Sequence, residues 1–184
     1  MEDGCMTTAP AIELRTFTTL DTVRGDLLDV YADVRAPLLH LPNYAVTAFG
    51  ERLDRHAAEP GFGAVLAYAG GHPIGYVYGN TIEHGDRYWQ RTVPGPMAQY
   101  TERPVVALKE IGVRAQWRGT GTARRIHDAF LATRDELQVT LMVNPAAGDG
   151  KVQALYRSWG YEDIGQSRPS AASPVLAVMI RVTR

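Results

Sequence analysis

A single cysteine, Cys5, in 184 residues leaves no internal disulfide to form, so the chain carries no mark of an oxidising compartment. An excess of either charge is missing too. The 19 basic and 20 acidic side chains give a formal charge of -1 and no global field that would draw in a polyanion such as nucleic acid. Any basic patch must be local. The five histidines show neither HxxxH spacing nor cysteine companions, so no metal cofactor is expected. Long apolar runs are absent as well: charge, glycine or proline interrupts each before it approaches the ~20 residues that span a bilayer. The opening MEDGCMTTAP is acidic and lacks an apolar core, unlike a secretory or transit segment. These absences lead to the expectation of a cytoplasmic protein that contacts neither nucleic acid nor membrane.

What is present is enough apolar material, 45% of residues, for one good core. The expected division is a flexible leader over residues 1–11 and one domain over 12–184. Ile12 to Phe17 alternates apolar and polar side chains and predicts a strand. Thr19 is placed to cap a helix whose apolar positions are Leu20, Val23, Leu27, Tyr31 and Val34, with Pro37 as its stop. A second helix is predicted after Asn43, with Val46, Phe49 and Leu53 inward, ending at Pro60-Gly61. Two strands, 64–68 and 74–79, flank Gly70-Gly71 as an antiparallel hairpin. Residues 81–104 read as a long loop near a site. A strand over 105–113, a helix from Gly119 to about Arg134 and a strand over 139–143 make a unit that favours parallel pairing. A helix over 150–159 and strands near 161–165 and 175–182 complete an α/β chain.

The stretch QWRGTGTA, residues 116–123, lies between the strand and the helix of that unit. Glycines at such a turn leave backbone N–H groups free at a helix start, where the helix dipole adds partial positive charge, which makes an anion site. Gly119 and Gly121 would let the backbone approach a phosphate, and Arg118 would add a charged donor; alternatively the glycines only shape a tight turn. A dinucleotide fingerprint needs a third glycine where Arg124 stands, and a nucleotide P-loop needs GKS or GKT where the chain has Gly121-Thr122-Ala123, so both fail.

The pattern QxxGxG does match, at Gln116, Gly119 and Gly121. Downstream, Leu155-Tyr156 and Gly160-Tyr161 look like an LYxxxGF signature with tyrosine in the phenylalanine place. In these motifs and in its element order, the chain resembles the GCN5-related N-acetyltransferase (GNAT) family. The resemblance implies a single-domain GNAT-like fold, a mixed sheet of about six to seven strands flanked by about four helices, with acetyl-CoA as co-substrate. It also implies that the backbone of Ile111 and Val113 pairs with the pantetheine arm, with Gly112 between them in a strand that a ligand approaches or that bulges. Arg118, Gly119, Thr120, Gly121, Thr122 and Ala123 would surround the pyrophosphate. Arg124, Arg125, Lys151 and Arg157 are candidates for the cofactor's 3′-phosphate or are simply solvated. Where the family often has an asparagine seven residues before the tyrosine this chain has Asp149, which reads as a helix cap, and Asn144 is the substitute amide.

Acetyl transfer needs a neutral amine, a stabilised oxyanion and a proton for the thiolate. By resemblance Tyr156 is the acid; otherwise it is a core aromatic. Glu110, on a largely apolar strand and on the face of Gly112, is either the base or a carboxylate that is paired with an arginine or faces solvent. Tyr76, Tyr78, Tyr88, Trp89 and Tyr100 would line a partly apolar acceptor pocket, with His84 and Asp86 orienting the acceptor. The expected activity is N-acetylation of a small-molecule amine by direct attack on the thioester. The alternatives are a non-catalytic CoA-binding sensor module and a protein N-acetyltransferase. The fold class leaves room for a homodimer.

Overall fold

In a computed structural model describing residues 10–171 and 173–183, seven strands form one sheet in the order β1-β2-β3-β4-β5-β7-β6. The strands are β1 (Ile12–Phe17), β2 (Gly63–Ala69), β3 (His72–Ile82), β4 (Val105–Val113), β5 (Gln138–Val143), β6 (Glu162–Ser167) and β7 (Leu176–Val182). Every pairing is antiparallel except β4 with β5, the pair joined by a helical crossover. The helices are α1 (Arg24–Val34), α2 (Val46–Ala57), the four-residue α3 (Arg87–Gln90), α4 (Thr122–Ala132) and α5 (Lys151–Ser158). This is the expected mixed α/β sheet. Cys5 and most of the expected leader lie outside the described residues.

Both faces of the sheet are covered, which is why every residue of β2 is buried and its sequence, GAVLAYA, does not alternate. On one face Ile126 and Phe130 of α4 pack with Val65, Val77, Val106 and Leu141. On the other, Leu27 and Tyr31 of α1 and Phe49 and Leu53 of α2 pack with Leu66, Tyr76 and Tyr78. The rings of Tyr31 and Phe49 stack with centroids 3.7 Å apart.

Three local expectations are corrected. Thr19 does not cap α1: the Leu20 carbonyl accepts the N–H groups of Val23 and Arg24, so a separate turn comes first and the helix begins at Arg24. Nor does Asp149 cap α5. Gly150, with φ 84°, is the N-cap, and Asp149 itself lies at φ 55°. The segment 81–104 is not structureless either, because β3 runs on to Ile82 and the segment then holds α3 and a 3-10 turn, Ala98–Tyr100.

A buried polar chain crosses the interface between α4 and the start of β6. The Asp128 carboxylate, which can only accept, takes the proton on His127 Nδ1 at 2.9 Å, so His127 Nε2 accepts from the Tyr161 hydroxyl at 2.8 Å. Burial pushes the fully buried His127 down, partly offset by Asp128, which keeps the ring neutral as this pattern requires. The tyrosine that replaces phenylalanine in the LYxxxGF-like run thus has a partner. Tyr161→Phe leaves a buried ring nitrogen unpaired and is expected to cost about 1–3 kcal/mol. Tyr161→Phe combined with His127→Leu should recover part of that loss, which a double-mutant cycle in urea would measure.

Candidate functional site

The site begins where β4 and β5 part. They pair in parallel only over Val106–Leu108 with Val139–Leu141. Against β3 the register jumps, Tyr78 facing Glu110 and Gly79 facing Leu108, so Lys109 is an extra residue and β4 carries a bulge. A bulge bends and twists its strand. Beyond it, residues 110–113 remain paired with β3 but have no partner strand on the β5 side among the described residues, leaving an open edge at Ile111 and Val113. Gly112 lies in this bulged strand. A Cβ there would sit 3.1 Å from the Tyr76 ring and 3.3 Å from Val34, so the glycine makes room for the α1 face of the core.

Past Val113 a 3-10 turn, Ala115–Trp117, leads into the glycine turn. Gly119 and Gly121 have φ 75° and 81°, values that side chains resist, and the space where each Cβ would point is open. The backbone N–H groups of residues 119–124 have no hydrogen-bond partner among the described residues, and Arg125 N–H is the first to bond back, to the Gly121 carbonyl. They form a nest of donors at the positive end of α4. The turn is held by the Thr120 hydroxyl, bonded to the Trp117 carbonyl at 2.7 Å and to the Thr122 hydroxyl at 2.8 Å. Arg118 Nε donates to the Val113 carbonyl at 3.2 Å, tying the turn to the end of β4. Ala123 packs against the core. Of the outer cations, Arg124 pairs with Asp128 and Arg157 with Asp163, while Arg125 reaches the Ile12 carbonyl at 3.5 Å.

Tyr156, on α5, is 7% exposed, with its ring edge-on to Trp159 and Tyr161. Burial raises its phenol above the usual range, and the charges of Arg35 and Glu110 act on it in opposite directions, so the three groups share one neighbourhood. Glu110 is paired. Arg35 Nη2 lies 3.1 Å from one carboxylate oxygen and Arg52 Nη2 3.8 Å from the other, with the glutamate side chain 12% exposed. Asn144 ends β5 with its side-chain oxygen on the Ala146 N–H at 3.0 Å.

A cleft of about 920 Å³ adjoins the parting strands, bounded by α2, α3, Leu108 and Lys109 of β4, Met142 and Asn144 beyond the pairing on β5, and the β6–β7 connection. Its wall corrects the aromatic-lined pocket read from the sequence. Tyr76 and Tyr78 are fully buried in the α1–α2 core, and Trp89 is buried beside β4 and β7. Tyr100 borders a separate hollow. Only Tyr88 of the five faces the cleft, its hydroxyl bonded to Thr140 at 3.0 Å. His84 bonds to the Thr101 carbonyl, and Asp86 caps α3 by accepting the Tyr88 N–H. Sequence reasoning missed Arg35, Arg52, His56 and Lys109. The signal was there for one of them: adjacent charges, Lys109 and Glu110, inside an apolar strand mark an irregularity that turns both aside from the core. Among the described residues no group of three or more His, Cys, Asp or Glu side chains is arranged to hold a metal ion, and no helix is long and apolar enough to cross a membrane.

His56 lines the cleft, with Nδ1 3.3 Å from the Tyr78 hydroxyl, and is pushed down to about 3, first by burial and then by Lys109, Arg52 and Arg55. An imidazole that stays neutral in the folded chain but ionises near 6.5 when unfolded favours unfolding in acid. Its contribution is complete above the unfolded value and is lost as pH falls from about 6.5 toward about 3. By pH 5 the loss amounts to about 2 kcal/mol. His56→Gln should flatten the slope of unfolding free energy between pH 7 and 5 by about that amount. An unchanged slope would assign the acid sensitivity to His127, whose shift has the same sign.

No protein-family model and no curated protein sequence matches the chain. Solved structures do match in shape. A GNAT-family acetyltransferase from Staphylococcus aureus superimposes with a TM-score of 0.65 at 13% identity, over 95% of this chain and 100% of that one. The PaiA N-acetyltransferase of Thermoplasma acidophilum, in complex with coenzyme A, gives 0.58 at 11% identity, over 94% and 99%. An aminoglycoside N-acetyltransferase in complex with CoA gives 0.61 at 17% identity, over 90% and 97%. The seven-stranded sheet, parted at β4 and β5 with α4 opening at its end, is the fold of the GNAT acetyltransferases.

Proposed function

We propose that this protein transfers the acetyl group of acetyl-CoA to the amine of a small molecule. The observation that carries the reading is the nest of unpartnered N–H groups over residues 119–124, opening beside the unpaired edge of β4. A pyrophosphate on that nest is stabilised by the helix dipole and by donors that have no competing partner. From there a pantetheine arm runs along β4 as an added strand would, exchanging hydrogen bonds with the backbone at Ile111 and Val113. The Arg118 guanidinium, anchored through Nε, keeps further donors for the phosphates.

The thioester then lies near Glu110 and Tyr156. A backbone N–H near Ile111 serves the oxyanion, and the Tyr156 phenol, kept protonated by burial, gives its proton to the departing thiolate. Glu110 stood in the sequence as base, as an arginine partner or as a solvent-facing carboxylate, and in this proposal it is the arginine partner. Its carboxylate draws Arg35, at the end of α1, and Arg52, on α2, onto β4 and so fixes the wall of the acceptor cleft. The amine attacks the carbonyl as the neutral species that solution supplies, the carbon–sulfur bond breaks, and the proton that the new amide nitrogen sheds passes through water to restore the Tyr156 phenol. The small-molecule class rests on the cleft, whose volume of about 920 Å³ suits a compact ligand.

Acetyl-CoA should raise the melting temperature, by mass action contributing ~2.7 kcal/mol at a hundred times its dissociation constant, while NAD and ATP should not act comparably. No response to millimolar CoA would remove the cofactor assignment. Tyr156→Phe keeps the packed ring and deletes the hydroxyl, and turnover should fall about a hundredfold with acetyl-CoA binding nearly unchanged. Loss of binding with turnover retained would make Tyr156 a cofactor contact and not the acid. Glu110→Gln should raise the KM for the acceptor more than it lowers kcat and should leave the shape of the pH–rate profile alone. Disappearance of an acidic limb would restore Glu110 as the base.

A further inference from the structure

The cleft is cationic in a chain that is not. Arg52, Arg55, Arg87, Arg91 and Lys109 line it against only Glu59 and Asp86, whereas the whole chain has a formal charge of -1. Neither acid is free to neutralise the wall. The Asp86 carboxylate caps α3 through the Tyr88 N–H at 2.7 Å. Glu59 accepts from the Asn80 amide at 2.5 Å and pairs with Lys109 at 3.4 Å. Arg52 is engaged by Glu110 and by the Asn43 carbonyl.

Arg55, Arg87 and Arg91 therefore remain without a carboxylate partner among the described residues. They come from two elements that the fold fixes independently: Arg55 from the last turn of α2, Arg87 and Arg91 one helical turn apart across α3. α3 is itself held, by its Asp86 cap and by the Tyr88 hydroxyl on Thr140. Like charges spaced in this way repel, and an anion between them relieves the repulsion. His56 lies in the same wall and is pushed down first by burial and then by the charges of Lys109, Arg52 and Arg55.

We infer that the acceptor amine carries an anionic group, a carboxylate or a phosphate monoester, which Arg55, Arg87 and Arg91 bind at the mouth of the cleft. This rests on the acetyltransferase reading above and narrows it to acidic acceptors. A polycationic acceptor is disfavoured by the same charges.

The test uses acceptor pairs that differ only in the anion: amino acids against their amides, and amino alcohols against their phosphate monoesters, with spermidine as the cationic control. Release of CoA thiol is followed for each. The anionic member of a pair should show kcat/KM at least about tenfold higher, the preference should shrink as salt is raised, and it should collapse toward one in Arg87→Ala and Arg91→Ala. Both positions are exposed, so the fold should survive. In a second arm, glutarate and inorganic phosphate are titrated by thermal shift with CoA already saturating. Each should stabilise the wild type and lose the effect in the Arg55→Ala, Arg87→Ala, Arg91→Ala triple variant.

The two readings fail separately. Absence of any CoA shift sinks the acetyltransferase reading and the acceptor class with it. CoA binding with preference for the neutral or cationic member overturns the acceptor class alone. If no acceptor in the panel turns over, the second arm decides, and an anion shift that is absent or survives the triple substitution overturns the proposal.

Discussion

Two parallel strands that pair over three residues and then separate impose a condition on everything around them, because the edges they expose carry backbone groups that need partners. In this chain the separation starts at one inserted residue, Lys109, where β4 stays in contact with β3 but turns from β5. The insertion sets the positions of the remaining parts. It puts the open edge of β4 in line with the start of α4 and brings Glu110 to Arg35 and Arg52, and Lys109 to Glu59. It also makes a place for a cleft between β4 and the end of β5.

Glu110 shows how the helices on the other face are recruited to that arrangement. A nearly enclosed carboxylate is costly unless its oxygens are matched, and here the matching charges come from α1 and α2. Hydrophobic packing of Leu27, Tyr31, Phe49 and Leu53 brings those helices down onto the sheet without specifying their position along it. The ion pairs, being directional, supply that specification, and removing the glutamate would strand two guanidinium groups near the thioester's expected place.

Much of the fold was legible because it follows local rules. The alternation in β1, the diglycine between β2 and β3, and the strand–helix–strand unit around residues 105–143 all stand where periodicity and turn chemistry put them. The glycine turn was legible as well, since only positive φ and open space at Gly119 and Gly121 explain its composition. What failed depended on partners distant in sequence. Tyr76 and Tyr78 read as pocket aromatics because a tyrosine's burial is decided by the helices that cover it, here α1 and α2. Gly112 read as a ligand approach or a bulge, and its contact with Tyr76 and Val34 was not legible, because it depends on where α1 lies. Arg55, Arg87 and Arg91 were invisible as a group, since nothing in a sequence says that residues some thirty positions apart bound one hollow.

The Tyr161 hydroxyl on His127 has one more consequence. It fastens the body of α4 to a residue just past α5, and the Tyr161 ring in turn stands edge-on to Tyr156 at 5.6 Å. A helix cannot translate along its axis without carrying its own buried side chains, so whatever seats the first turn of α4 also sets the height of His127. His127 sets Tyr161, and Tyr161 the ring of Tyr156. The grip on the far end of a long cofactor and the placement of the proton for its sulfur are thereby gauged against the same rigid rod.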